Sequence, residues 1–282
     1  MRFAIATSDY YLGVFVSFVA AGWTPVKLFT IKSNDEFGAW QATTHYAEQL
    51  GIAIQYTKIT VNDLAELREQ GCEALIIANY PWLVPEWRPY LSYAVNFHCS
   101  PLPLARGPYP IIRAIINNED SWAVTCHQLT QQFDRGDILD NESFRLQHDE
   151  CHESLFFKVR MAANRLAARV ALNLPQLWAN AKPQEAGSYW SLPTPNERAL
   201  NFSQTTDQLL RVVRAFGKNG SFACIDNKII QFQQAVGWIE AHDNCPGTVV
   251  DRFNQSVVVA TSDGYIGLID FKVVFDPLAN SS

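Results

Sequence analysis

Short apolar runs separated by stretches of helical spacing fill the opening of the chain, and this alternation constrains the fold more than any other feature. Arg2 to Thr7 reads as a strand, Leu12 to Ala21 as a buried helix that Gly22 ends, and Val26 to Thr30 as a second strand. Further strand-like runs at Ala53 to Tyr56, Ala74 to Ala78 and Ala94 to His98 alternate with helical segments around Tyr46 and Leu64. Strands that alternate with helices build a parallel sheet covered on both faces, so the spacing predicts an α/β fold with a Rossmann-like parallel sheet.

The first turn argues against a dinucleotide. No G-x-G-x-x-G follows the first strand, and the turn reads Ser8-Asp9-Tyr10-Tyr11, too bulky for close approach of a pyrophosphate. Leu12 to Trp23 is shorter than the ~20 apolar residues that a bilayer span requires. It is also a poor signal peptide, because Asp9 precedes it and Arg2 is the only basic residue before it. Cys72, Cys99, Cys126, Cys151, Cys224 and Cys245 form no C-x-x-C pair and no dense disulfide scaffold, which points to a reducing, cytoplasmic location and no membrane association.

The chain has 282 residues, more than one core usually serves, so two domains are expected. A long helix from Glu153 to Lys182 sets Leu155, Val159, Ala162, Leu166 and Val170 on one face, with Lys158, Arg160, Arg165 and Arg169 on a solvated one. Pro183 to Pro195 reads as a linker. After it come a helix at Thr206 to Phe216 and short strand-like segments around Phe222 to Ile225, Ile229 to Ala235, Thr248 to Arg252, Val257 to Thr261 and Tyr265 to Phe271. With turn signals at Asp226-Asn227 and Asp263-Gly264, they predict a small antiparallel barrel. The expected division is residues 1–182, a linker at 183–200, and a barrel domain at 201–282.

Asn96 to Gly107 reads NFHCSPLPLARG, where a parallel strand ends and a proline-stiffened loop begins. Open α/β sheets bind ligands at the carboxyl ends of their strands, and period-two alternation places Asn96 and His98 on one side. An amide that donates to a developing oxyanion and an imidazole that relays a proton suit acyl transfer. Gln132 to Ile138 is a glycine-containing loop able to return Asp134 to the same cleft and orient His98, or only to shape a turn. Cys126-His127 and Cys151-His152 match no standard zinc spacing, so no metal is expected. A thiol nucleophile at Cys99 is disfavoured because its side chain points away from that of His98.

Asn96, His98, Ser100, Leu102, Pro103, Arg106, Gly107, Asp134, Gly136 and Ile138 together resemble the 10-formyltetrahydrofolate-dependent formyltransferase family, which includes methionyl-tRNA and sugar-nucleotide N-formyltransferases. Family members usually carry Leu where Pro101 stands here. Arg214-Ala215-Phe216, Pro246 to Val250 and Val259 to Gly264 are similar to the family's C-terminal domain, so the resemblance implies the formyltransferase fold followed by an OB-like barrel. It implies 10-formyltetrahydrofolate as co-substrate, with Asn96 as oxyanion donor, His98 as base and Asp134 orienting the ring. It places the pterin between the loops 80–85 and 130–137, assigning Trp82, Leu83, Val84, Phe133 and Asp137 to the folate and Ser100, Arg106 and Tyr109 to the acceptor.

The acceptor follows from charge. The net charge is -6, and from Pro183 onward seven Lys and Arg stand against ten Asp and Glu. In methionyl-tRNA formyltransferase a long basic loop after the second strand grips the acceptor stem; here Thr30 to Thr44 contains Lys32 as its only basic residue, beside Asp35 and Glu36. Binding to nucleic acid rests on several Lys or Arg contacts to phosphates, so tRNA is disfavoured. A small-molecule amine is expected: an amino sugar nucleotide, a hydroxylated ornithine or another metabolite amine, with Trp40, Trp87, Tyr109 and Trp190 as pocket candidates. Three other readings stay open: a shortened tRNA formyltransferase, a relative that hydrolyses 10-formyltetrahydrofolate or only holds the folate, and a ligand-binding module without chemistry. A homodimer is also left open.

Overall fold

The computed structural model describes residues 1–32 and 41–275. It begins with strand β1 (Arg2–Thr7), helix α1 (Leu12–Ala20), β2 (Thr24–Phe29), α2 (Ala42–Gln49), β3 (Ala53–Gln55), α3 (Val61–Glu69), β4 (Ala74–Ala78) and β5 (Tyr93–His98). Helix α4 (Ile111–Ile116), β6 (Ser121–Gln128), β7 (Ile138–Arg145) and α5 (His152–Ala179) follow. Among the described residues β1 to β7 form one sheet in the order β3-β2-β1-β4-β5-β6-β7. The chain works outward from β1 to β3 and then resumes on the other side of β1, which creates the crevice where ligands of open α/β sheets bind.

Burial follows from this placement. Every residue of β4 is buried, as a central parallel strand covered on both faces requires. Trp87 and Leu91 join Leu64, Leu67, Leu75 and Ile77 in one core cluster. Asp9, in the turn whose bulk argues against a pyrophosphate, accepts from the Thr43 N–H at 2.7 Å and so caps α2.

The sheet is mixed. β1, β2, β3, β4 and β5 pair in parallel, but β6 runs antiparallel to β5, with Asn96 opposite His127 and His98 opposite Thr125. The Leu155–Val170 stripe of α5 is buried. The helix loses regular geometry at Asn173, two residues before Pro175, whose ring and missing N–H disrupt the preceding turn. Arg165 and Arg169 are more than solvated charges: Arg165 lies 2.7 Å from Glu142 and Arg169 3.1 Å from Asp140, both on β7.

The remaining elements are α6 (Thr206–Phe216), β8 (Ser221–Ile225), β9 (Lys228–Phe232), β10 (Gln234–Ile239), β11 (Val249–Phe253), β12 (Ser256–Ala260), β13 (Gly264–Ile269) and β14 (Lys272–Phe275). Their strands are hydrogen-bonded as two sheets, β10-β13-β12-β11 and β14-β9-β8, which share a core that includes Leu209, Val213, Ile230 and Phe232. Asp226 and Asn227 both take positive φ, the backbone of a tight hairpin turn between β8 and β9. By contacts the chain forms two compact units. One comprises Met1–Pro108, Ser121–Phe144 and Phe157–Trp190; the other comprises Tyr109–Asp120, Arg145–Phe156 and the described residues of Ser191–Ser282. No described helix is long and apolar enough to cross a membrane.

Candidate active site

Two side chains of β5 and one from the loop after β6 meet at the end of β5. Alternation along the strand carries Asn96 and His98 to one face, and the loop after β6 returns Asp134 to them. Asp134 adopts φ +56°, a left-handed backbone that Asp tolerates better than most residues. Behind it Gly136 packs so tightly that a Cβ would sit 1.7 Å from the Gln128 carbonyl oxygen, so no larger residue lets the loop close. Gly107, at φ +105°, donates its N–H to Asp134 Oδ2 at 2.9 Å. The two loops therefore lock onto one carboxylate.

His98 Nδ1 stands 3.3 Å from Asp134 Oδ1, and His98 Nε2 stands 3.2 Å from the Ala105 carbonyl oxygen. Both partners are acceptors, so a ring that donates from Nδ1 to Asp134 has to turn Nε2 away from the Ala105 carbonyl before that nitrogen can accept a proton. Asn96 Nδ2 lies 3.0 Å from Nε2 of His127, and that nitrogen is 3.8 Å from Asp134 Oδ1. Burial lowers the pKa of His127 to about 4 against the opposing pull of Asp134, so this ring is neutral near pH 7. His127 completes a cluster of four, and sequence reasoning missed it. The signal lay in its position on a strand run, but only the antiparallel direction of β6 puts it across from Asn96.

Two residues assigned to the acceptor are instead consumed by the protein. Ser100 is fully buried, donates to the Leu104 carbonyl, and its own carbonyl accepts from Thr125. Arg106 is 3% exposed, and its guanidinium donates to Gln184 Oε1 and the Glu185 carbonyl. Gln184 in turn donates to the carbonyls of Asp134 and Gly136 at 2.9 and 2.7 Å, so the first residues of the expected linker brace the loop that carries Asp134. Tyr109 belongs to the other compact unit, where its hydroxyl meets His152 Nε2 at 2.6 Å.

Leu83 and Phe133 are exposed apolar side chains on the loops after β4 and β6, and Trp82 packs edge-on against Tyr80. Asp137 is half-buried, and its carbonyl accepts from the Gln128 N–H. Val84 points into the core, leaving only its backbone for a ligand. Trp87, a candidate for the acceptor pocket, is 2% exposed and cannot line one; its indole N–H donates to the Leu129 carbonyl and ties these two loops together. Trp190 stacks on Trp122. Trp40 and most of the loop 30–44 lie outside the described residues. The Cys99 thiol is pushed up to about 12 by burial, which removes it as a nucleophile. Among the described residues no group of three His, Cys, Asp or Glu is placed to hold a metal ion.

A mixed α/β sheet bearing an Asn, His and Asp cluster at a strand end, followed by antiparallel sheets, is an arrangement whose groups suit acyl transfer. Residues 44–171 match the family model "Formyl transferase", and residues 193–273 match "Formyl transferase, C-terminal domain". This chain belongs to the formyltransferase family. It is 27% identical to the methionyl-tRNA formyltransferase of Coprothermobacter proteolyticus over 80% of this chain and 75% of that protein. In structure it is similar to an N-formyltransferase from Helicobacter canadensis solved with folinic acid and dTDP-3-aminofucose, with a TM-score of 0.72, 19% identity, and 95% and 98% of the two chains covered. It is also similar to WlaRD, a sugar 3N-formyltransferase solved with dTDP and 5-N-formyl-THF, with a TM-score of 0.69, 17% identity, and 98% of each chain covered.

Proposed function

We propose that the protein transfers the formyl group of 10-formyltetrahydrofolate to the amine of a small metabolite, such as an amino sugar nucleotide or a hydroxylated ornithine. The observation that carries this reading is the convergence of Asn96, His98 and Asp134 within a formyltransferase fold. The folate fits the residues present: Leu83 and Phe133 offer apolar side chains to a flat ring, and the Trp87 hydrogen bond to Leu129 holds their two loops together. When bound, it supplies an activated formyl carbonyl.

The chain's own groups then divide the work. Asn96 has one amide N–H engaged by His127 and a second left to donate to the oxygen that gains charge as the amine attacks. His98 takes the amine's proton at Nε2 after releasing the Ala105 carbonyl, while Asp134 holds Nδ1 and offsets the charge that the ring acquires; as the new N–C bond forms, the bond between the formyl carbon and the folate nitrogen breaks, and that nitrogen takes the proton and leaves as tetrahydrofolate. The small-amine reading is supported by the deficit of basic charge from Pro183 onward, seven Lys and Arg against ten Asp and Glu. Likeness in sequence to methionyl-tRNA formyltransferases keeps charged tRNA as the second reading.

Tetrahydrofolate release measured with 10-formyltetrahydrofolate and a panel of amines tests the proposal, with charged initiator tRNA in a parallel arm. Turnover that depends on one small amine is expected. Robust formylation of the tRNA would overturn the acceptor assignment, and equal release without any amine would make the protein a hydrolase.

A further inference from the structure

His127 is 1% exposed and faces Asn96 across the β5–β6 pair. Its Nδ1 lies 2.8 Å from the carbonyl oxygen of Gln128, a group that can only accept, so Nδ1 carries the ring's proton. Nε2 is then a bare lone pair. An amide that meets a lone pair at 3.0 Å must present its NH2 end, which fixes the rotation of the Asn96 side chain from outside the residue itself.

We propose that His127 is a positioning residue for formyl transfer: neutral and protonated on Nδ1, it sets the Asn96 carboxamide so that one N–H faces the reacting carbonyl, and it leaves Asp134 to His98 alone. The assignment rests on the formyl-transfer reading above. Its logic is one of sign. A proton on Nε2 would turn the Asn96 oxygen toward the ring or pull the Asp134 carboxylate, 3.8 Å away, off His98. The first change puts an acceptor where charge develops, and the second takes from His98 the carboxylate that its Nδ1–H meets. Burial keeps the second proton off, and the charged groups that bear on the ring are Asp134, His98 and Arg106.

Nitrogen-15 NMR of the full chain labelled at histidine tests the tautomer without any assay. The His127 ring is expected to show the neutral Nδ1–H pattern from pH 5 to 8; an Nε2–H pattern or a charged ring at pH 7 would overturn the proposal. Activity tests the role. His127→Phe fills the space without an acceptor and should lower kcat by roughly 10-fold or more, the scale of one misdirected hydrogen bond, with the folate KM within about 2-fold. His127→Gln returns an acceptor near the position of Nε2 and should restore most of the loss, whereas His127→Asn is too short to do so. Equal impairment in the Gln and Phe variants, or full activity in the Phe variant, would overturn the proposal. If the Phe variant does not fold, the comparison of Gln with Asn carries the test. A wild-type chain that transfers no formyl group at all would refute the functional reading, while the ring spectrum would still report the tautomer.

Discussion

In the proposed transfer Asn96 works with a single hydrogen. One amide N–H is taken by His127, so the other is the donor available for charge that builds on the attacked carbonyl. Asn96→Ala removes it and is expected to lower kcat by ~100-fold or more, equivalent to about 3 kcal/mol, with folate affinity measured by titration largely kept. His127 contributes in a second way, through protons. Its pKa falls from 6.5 to about 4 on folding, so between these values the unfolded chain binds the proton that the native chain refuses. Stability is therefore fully present above pH 6.5 and drains as the pH falls toward 4, by an amount on the order of 3 kcal/mol. Denaturant unfolding across that window should show this slope in the wild-type protein and a shallower one in His127→Gln.

The same arithmetic applies at the start of an element. Thr60 and Asp63 form a capping box at α3, and Asp63 accepts from Lys27 Nζ at 2.8 Å, from the Thr60 N–H at 2.8 Å and from Gln55 at 3.1 Å. Burial alone would raise the pKa of this carboxylate, but the hydrogen bonds from Lys27, Thr60 and Gln55 outweigh it and bring it down from 3.8 to about 2. A depressed carboxylate stabilises the fold above its unfolded value and loses that contribution as the pH drops through 2. Asp63→Asn should cost about 2 kcal/mol at pH 7 and leave a stability profile flatter between pH 4 and 2, as urea titrations would show.

Elements also explain which parts of the site were legible. Asn96 and His98 could be placed because alternation alone assigns them a face, and Asp134 because a glycine two residues on signals a close turn. His127 could not, since alternation carries no information on whether β6 runs with or against β5. Ser100 and Arg106 are polar residues beside the site, and no pattern in sequence reveals that Leu104, Gln184 and Glu185 consume their donors. α4 is six residues long, too short to show helical periodicity. β7 is not among the strands expected from sequence: its acidic Asp140 and Glu142 find their partners, Arg169 and Arg165, only on α5.

For the molecule as a whole, the proposed acceptor rests on charge. A net charge of -6 and the acidic excess from Pro183 onward leave little to neutralise phosphates. An enzyme that grips tRNA through several Lys and Arg contacts displaces counterions, and its affinity falls by ~1000-fold or more between low and moderate salt. A small amine is held by a few local hydrogen bonds, and its binding responds to salt only through those charges. On the small-amine reading, acceptor kcat/KM measured from 50 to 200 mM salt should change by less than about 10-fold. A steep logarithmic fall with the preferred acceptor would mean that a polyanion is being bound, and the small-amine assignment would not survive it.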